Sequence, residues 1–336
     1  MSRAQVRREG LAGVRPGRES RTWSRNGHGG GGAWRKPQDH PGDSYYGSPI
    51  INPPVWEARN IAGYLFTGGL AGASSILAAG ADISHRPRLA RGARITAAGA
   101  IGVSLAALVD DLGRPARALN MLRVFKPTSP MSVGSWLLAA YGPLTAAAAA
   151  SELSGRAPRT GRTAGIGAGL LGSAVATYTA ALIADTAVPA WHGGRRELPF
   201  LFAGSAAAAA AGAGLITAPC SENVPAQRMA VIGALGELVA EQVMERRLGS
   251  VAKALHEGPA KGRLRAAKAL TAAGAIGAAS LGGRSRTAAT LSGAALVGGS
   301  LLTRFGIFAA GMTSARDPSY TVEPQRERLK ARPDGS

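Results

Sequence analysis

Five stretches of this chain contain no aspartate, glutamate, lysine or arginine: Ile61–Ala81, Ile95–Val109, Met131–Ala150, Thr163–Ala184 and Leu198–Ala218. About 30 Å of hydrocarbon is crossed by roughly 20 helical residues, so runs of this kind predict membrane-spanning helices. With their flanks the first five spans are Val55–Ala81, Ala93–Val109, Met131–Ala150, Thr163–Ala187 and Leu198–Ala218. Three weaker runs follow. Pro225–Glu245 contains Glu237 and Glu241, Ala266–Leu281 begins near Lys268, and Thr287–Met312 includes Arg304. The expectation is an all-α, polytopic integral membrane protein with about eight transmembrane helices in residues 45–312. Residues 1–44, rich in Arg, Gly, Ser and Pro, predict a disordered basic tail. Residues 313–336 form a second tail.

Glycine makes up 47 of the 336 residues, and small residues let helices approach closely in lipid. Gly68 and Gly72 in the first span, and Gly165 and Gly169 in the fourth, have the four-residue spacing of packing faces. Gly167–Gly172 matches G-x-G-x-x-G, but it lies inside an apolar span. A dinucleotide fingerprint must join a strand to a helix, so helix packing is the better reading.

The net charge of +19 would suggest nucleic acid in a soluble protein. Here the basic residues lie in tails and loops, where they report topology instead. An even number of spans puts both termini on one side. The loops are nearly balanced in charge, and the two tails tip the count towards cytoplasmic termini. The single cysteine, Cys220, cannot hold an iron–sulfur cluster. The five histidines lie outside the uncharged runs, so no pair of axial haem ligands is placed in the membrane. No zinc spacing and no nucleophile–base arrangement is present, so neither a metal of its own nor a catalytic residue is expected.

The stretch Asp110–Trp136, DDLGRPARALNMLRVFKPTSPMSVGSW, separates two spans. Leu119, Leu122 and Phe125 recur at helical spacing among Arg117, Arg123 and Lys126. That predicts a short amphipathic helix over Ala116–Phe125 on the membrane surface, ended by Pro127 and Pro130. A basic loop that only orients its spans is the plainer alternative. The wording of this stretch resembles the NrfD/PsrC family, the membrane subunits of polysulfide-reductase-type molybdoenzyme complexes. PVWEARNIAGYLFTGGLAGAS (Pro54–Ser74) resembles the family's first transmembrane helix, and ARDPSYTVEPQRERL (Ala315–Leu329) its tail.

The resemblance implies an eight-helix fold of two four-helix bundles in a bacterial cell membrane. It also implies an exchangeable quinone such as menaquinone, with no haem or iron–sulfur cluster in this chain. The implied partners are a ferredoxin-like iron–sulfur subunit and a molybdopterin catalytic subunit. In the family, polar residues at the beginning of the first helix line the quinone pocket. Glu57, Asn60 and Tyr64 share a helical face there. A carboxylate, an amide and a phenol suit a head group that needs hydrogen-bond donors and protons; an interfacial anchor with a solvated Glu57 is the alternative. Asp110, Asp111 and Arg114 either border this pocket or form a structural ion-pair cluster. Asp185, Glu237 and Glu241 are candidates for a proton route, with Arg304 or Lys268 available to a buried acid. Arg117, Arg123 and Lys126 are candidates for binding the iron–sulfur partner. A structural membrane anchor without a quinone site, and a secondary transporter with helices broken near Pro143 or Pro189, are the competing functions.

Overall fold

The computed structural model of the chain describes residues 5–7, 10–12, 50, 51, 53–111 and 120–330. In the first unit, Met1–His40, the described residues are two short antiparallel strands, β1 (Gln5–Arg7) and β2 (Gly10–Ala12), with Val6 opposite Leu11. The rest of the N-terminal tail lies outside the described residues.

The second unit holds eight long helices among the described residues. They are α1 (Ala58–Ile83), α2 (Pro87–Asp111), α3 (Pro130–Ser154), α4 (Pro158–Ala184), α6 (Leu198–Thr217), α7 (Val224–Leu248), α8 (Gly258–Ser280) and α9 (Arg286–Arg316). The short α5 (Pro189–Gly193), a 3₁₀ segment (Gly249–Leu255) and α10 (Ser319–Lys330) complete it. Local chemistry sets several boundaries. Ser129 caps α3 ahead of Pro130 at its first position, and Ser285 accepts from the Ala288 amide at 3.3 Å to begin α9. Gly155 ends α3 in a left-handed conformation.

Among the described residues, six helices are long and apolar enough to cross a membrane: α1, α2, α3, α4, α6 and α9. The sixth and seventh expected spans are present as α7 and α8, but their charged residues keep both below that level. The predicted amphipathic helix over Ala116–Phe125 is corrected in part. Leu112–Leu119, with Arg114 and Arg117, lies outside the described residues. Asn120 is helical, but Met121–Phe125 are turn and irregular chain. Ser132 explains the change: its hydroxyl accepts from the Lys126 amide at 2.9 Å and donates to the Val124 carbonyl at 3.1 Å. Phe125 packs edge-on against Trp136, 6.3 Å between ring centres.

Within the body α1 packs on α2 and α4, and α3 packs on both of those. In the same manner α6 packs on α7 and α9, and α8 packs on both. Contacts of α1 and α4 with α6 join the two sets. The near end, where α1 starts and α9 finishes, is tied by Trp56 stacked on Trp191 at 5.8 Å. Trp191 also donates its indole N–H to the Ile307 carbonyl at 2.9 Å. At the far end Arg94 pairs with Asp82 and Glu152, the latter at 2.6 Å. Arg286 there donates to the carbonyls of Leu215, Ile216 and Ala218 that α6 leaves unpaired.

Backbones meet where glycines face each other. A Cβ on Gly72 would stand 2.4 Å from the Gly172 carbonyl oxygen, and one on Gly212 would stand 2.5 Å from that of Gly293. Gly72→Val is therefore expected to destabilise the protein by about 1–3 kcal/mol through overpacking. Gly80→Ala, where nothing lies within 4 Å, serves as the reference that leaves the melting temperature unchanged. Thermal unfolding of the detergent-purified chain measures both.

Candidate functional site

At the near end the first turns of α1 carry the polar residues that the sequence singles out. Glu57 is exposed at the N-cap, Asn60 is half-buried and Tyr64 is buried. The Asn60 amide donates to an Asp110 carboxylate oxygen of α2 at 3.1 Å. Asp111, also exposed, lies within electrostatic reach of Glu57 and Asp110. Tyr64 reaches the other way, and its hydroxyl meets the Tyr178 hydroxyl of α4 in a short hydrogen bond. In such a pair one hydroxyl donates to the other, so one O–H stays free to donate to a third group.

Room for the Tyr178 ring comes from Gly134 of α3, where a Cβ would stand 2.0 Å from the ring. One turn deeper, Ser104 of α2 and Thr179 of α4 both come against Gly68 of α1. Thr179 is buried and its hydroxyl has no partner among the described residues. Between α2 and α3 lies an open apolar cavity of about 580 Å³. Ile101, Leu105, Leu108 and Leu138 line it together with Met121 and Leu122, and Ser135 and Thr145 are its polar groups. Ile101 and Leu138 belong to the same core as Ile61 and Tyr64.

A second polar cluster lies among α6–α9. Glu237 is 2 % exposed. Its carboxylate accepts from Thr303 at 2.5 Å and from Thr271 at 3.4 Å. Arg304 is 1 % exposed and is within electrostatic reach of Glu237. Its nearest bonds are elsewhere: Nη2 donates to the Phe202 carbonyl at 2.8 Å, and the guanidinium lies 3.6 Å above the Phe202 ring. One turn along α7, buried Glu241 has Lys268 at 3.4 Å, and Lys268 also holds Glu245 at 2.8 Å. His256, exposed at the near end, stands 3.8 Å from Glu245. Asp185 is placed differently from the other two acids of the expected route. It is exposed at the end of α4, with no side-chain hydrogen bond or ion pair among the described residues.

A family described as polysulphide reductase, NrfD, matches residues 51–276. The chain belongs to the NrfD family. The match takes in α1 to α7 and most of α8. No curated protein matches the chain. As an NrfD protein with six apolar helices of spanning length, it is a multi-pass membrane protein.

Of the residues the sequence offers for a partner of this NrfD chain, Arg123 and Lys126 are exposed beside exposed Val124 and Phe125. The C-terminal α10, which the sequence reads only as a tail, packs on the 3₁₀ segment. Its Tyr320 donates to Glu257 at 2.9 Å, and its Glu323 pairs with Lys253 at 3.8 Å. Burial, and then the Glu257 carboxylate it donates to, push the Tyr320 hydroxyl above its ordinary range, so it remains a donor at physiological pH. Tyr178 is the site residue that no sequence pattern singles out. Its helical register relative to α1 is a packing fact, and no spacing in the sequence carries it.

A test of this polar cluster follows from its burial. Arg304→Met leaves Glu237 without its nearby cation and is expected to cost about 3–5 kcal/mol, the range for breaking a buried charge pair. Adding Glu237→Gln should restore part of the loss. Unfolding midpoints of the two variants and the parent measure this, and an additive double variant would show that the two groups are independent.

Proposed function

We propose that this chain is the quinone-interacting membrane subunit of a molybdopterin oxidoreductase complex. It exchanges electrons between a membrane quinone pool, such as menaquinone, and a ferredoxin-like iron–sulfur subunit. Family membership supports this reading. The observation that carries the site is the Tyr64–Tyr178 hydroxyl pair, one helical turn from Asn60 and packed against Gly134 of α3, whose neighbour in sequence, Ser135, lines the apolar cavity. A quinone is an apolar isoprenoid tail ending in a ring with two carbonyl oxygens, and the residues fit both parts. The cavity is of ordinary ligand size and nearly all hydrocarbon. Tyr178 and Asn60 offer hydrogen-bond donors for carbonyl oxygens, and the buried Thr179 hydroxyl still lacks a partner. Bound there, the quinone supplies a couple that takes up two electrons and two protons. Tyr178 holds a proton at its hydroxyl, and Asp110, Asp111 and Glu57 are the near-end carboxylates able to exchange protons with water.

The body is read as eight spans in two four-helix bundles. The pairwise packing of α1–α4 and of α6–α9 supports this. On α7 the exposed side chains include Ile232, Leu235, Val239 and Val243, while Glu237 and Glu241 turn inward. That is the pattern of a lipid-facing helix with a polar interior. In this reading Glu237, Glu241, Lys268, Glu245 and His256 form a proton route from the buried cluster to the near end, and Asp185 stays outside it. The near end, with Arg123 and Lys126, receives the iron–sulfur subunit on the cytoplasmic side of a bacterial membrane. The transporter reading has less to stand on, since α3 continues unbroken through Pro143.

Tyr178→Phe and Asn60→Ala are expected to lower quinone-linked turnover at least tenfold in the assembled complex, whereas turnover with a water-soluble artificial acceptor persists. Unchanged quinone turnover in both variants would leave the anchor reading in place. Reporter fusions at Gly193 and after Asp317 should read cytoplasmic and a fusion at Gly155 external; the reverse pattern would invert the orientation. Arg123→Glu with Lys126→Glu should release the iron–sulfur subunit at lower salt than the parent.

A further inference from the structure

Three cations at the near ends of α7 and α8 stand on one side of the molecule without a counter-ion. The side chains of Arg246, Lys261 and Arg265 are exposed and have no hydrogen bond or ion pair among the described residues. The carboxylates around them are already engaged. Glu241 and Glu245 share Lys268, Glu197 pairs with Arg247, and Glu257 accepts from Tyr320. At the start of α8 the N-cap Glu257 makes no side-chain cap bond, and no acidic residue lies in the first turn. Lys261 there opposes the helix dipole, so an anion at this end would be favoured.

The helical period brings the three together. On α7, Glu241 and Glu245 turn to Lys268 of α8. Gln242 and Arg246 each follow one residue later, about 100° further round towards the outside; both are exposed. On α8, Arg265 precedes Lys268 by three residues and Lys261 precedes Arg265 by four, so all three lie along one edge. The two helices run in opposite directions, so both rotations lead into the same outer crevice. Depth agrees as well. Arg246 is one residue nearer this end than Glu245, and Arg265 is three residues nearer than Lys268, so the two stand within about one 5.4 Å turn of each other. Deeper along the same faces the exposed side chains are apolar: Val243, Val239 and Leu235 on α7, and Ile276 on α8.

We infer that the outer crevice between α7 and α8 is the seat of an anionic phospholipid from the near-end leaflet. Its phosphodiester lies among Arg246, Lys261 and Arg265, where guanidinium groups can hold phosphate oxygens in pairs, and the Gln242 amide is a further donor. Its acyl chains run down Val243, Val239 and Ile276. Charge selects the head group. With Lys268 included, four cations meet two carboxylates in the crevice, a surplus that favours a net negative lipid over a zwitterionic one. The apolar stripe selects a lipid over a free phosphate, which would use the cations and leave the stripe unmatched. The seat rests on reading α7 and α8 as spans and is independent of the quinone reading.

Native mass spectrometry of the intact chain in detergent can compare phosphatidylglycerol and phosphatidylethanolamine with identical acyl chains. Phosphatidylglycerol should be held at least about tenfold more tightly. Arg246→Gln with Lys261→Gln and Arg265→Gln should abolish that preference, whereas Arg195→Gln with Arg196→Gln, exposed near-end cations on another loop, should keep it. Equal retention of the two lipids by the parent, a preference that survives the triple variant, or displacement of the lipid by inorganic phosphate would overturn the seat. A second measurement needs no variant. Photoactivatable phosphatidylglycerol in native membranes should crosslink to the near-end turns of α7 and α8, and the matching phosphatidylethanolamine should label α7 along its outer face without that bias. Absence of the bias overturns the seat alone; absence of any lipid label on α7 overturns the span reading as well.

Discussion

A guanidinium with almost no solvent around it sets the terms for the second half of this molecule. Arg304 is held between the carbonyl and the ring of Phe202 and against Gly69 of α1. Removing an ion from water is costly, and a nearby opposite charge offsets that cost only partly. The surroundings are arranged accordingly. Glu237 faces inward from α7, Thr271 and Thr303 donate to it, and Ser205 and Ser300 bond to each other at 2.9 Å close by. Four helices therefore have their rotational setting fixed by polar contacts, because their alanine-rich faces would pack almost equally well at neighbouring angles.

The first half uses neutral groups for the same purpose. Hydroxyl pairs, Tyr64 with Tyr178 and Ser75 with Tyr141, cross-link α1 to α4 and α3 without any buried net charge. Charge appears only at the two ends, in Asn60–Asp110 and in Arg94 with its two carboxylates. This division suits the roles proposed for the two halves, with a neutral, donor-rich pocket in one and a titratable ladder in the other.

Much of the fold is legible in the sequence because uncharged runs leave little choice once hydrocarbon is the solvent. The position of α1 and the inward face with Tyr64 follow from length and helical period. The close approach of α1 and α4 follows from Gly72, whose partner glycine is Gly172, and from Gly169 of the pair that the spacing picks out, which faces Ser75 and Ala79 of α1. What period and composition cannot carry is the register between helices. Lys268 serves Glu241 and Glu245, while Arg304 turns to Phe202 and only approaches Glu237. The surface helix expected over Ala116–Phe125 fails at its second half for a local reason. One hydroxyl, that of Ser132, offers Val124 and Lys126 better-placed partners than another helical turn would.

The facing glycines bear on how such a body can move. Helices separated by side chains can slide, because interdigitated side chains change rotamer and re-form contacts after a small shift. Gly72 and Gly172 leave no side chains to do this, and the carbonyl of one sits where the other would carry its Cβ. Gly212 and Gly293 join α6 and α9 in the same way. Each pair is thus a stiff two-helix strut. Any conformational cycle must pivot the struts about the junction that α1 makes with α6, with α2, α3, α7 and α8 carried as passengers.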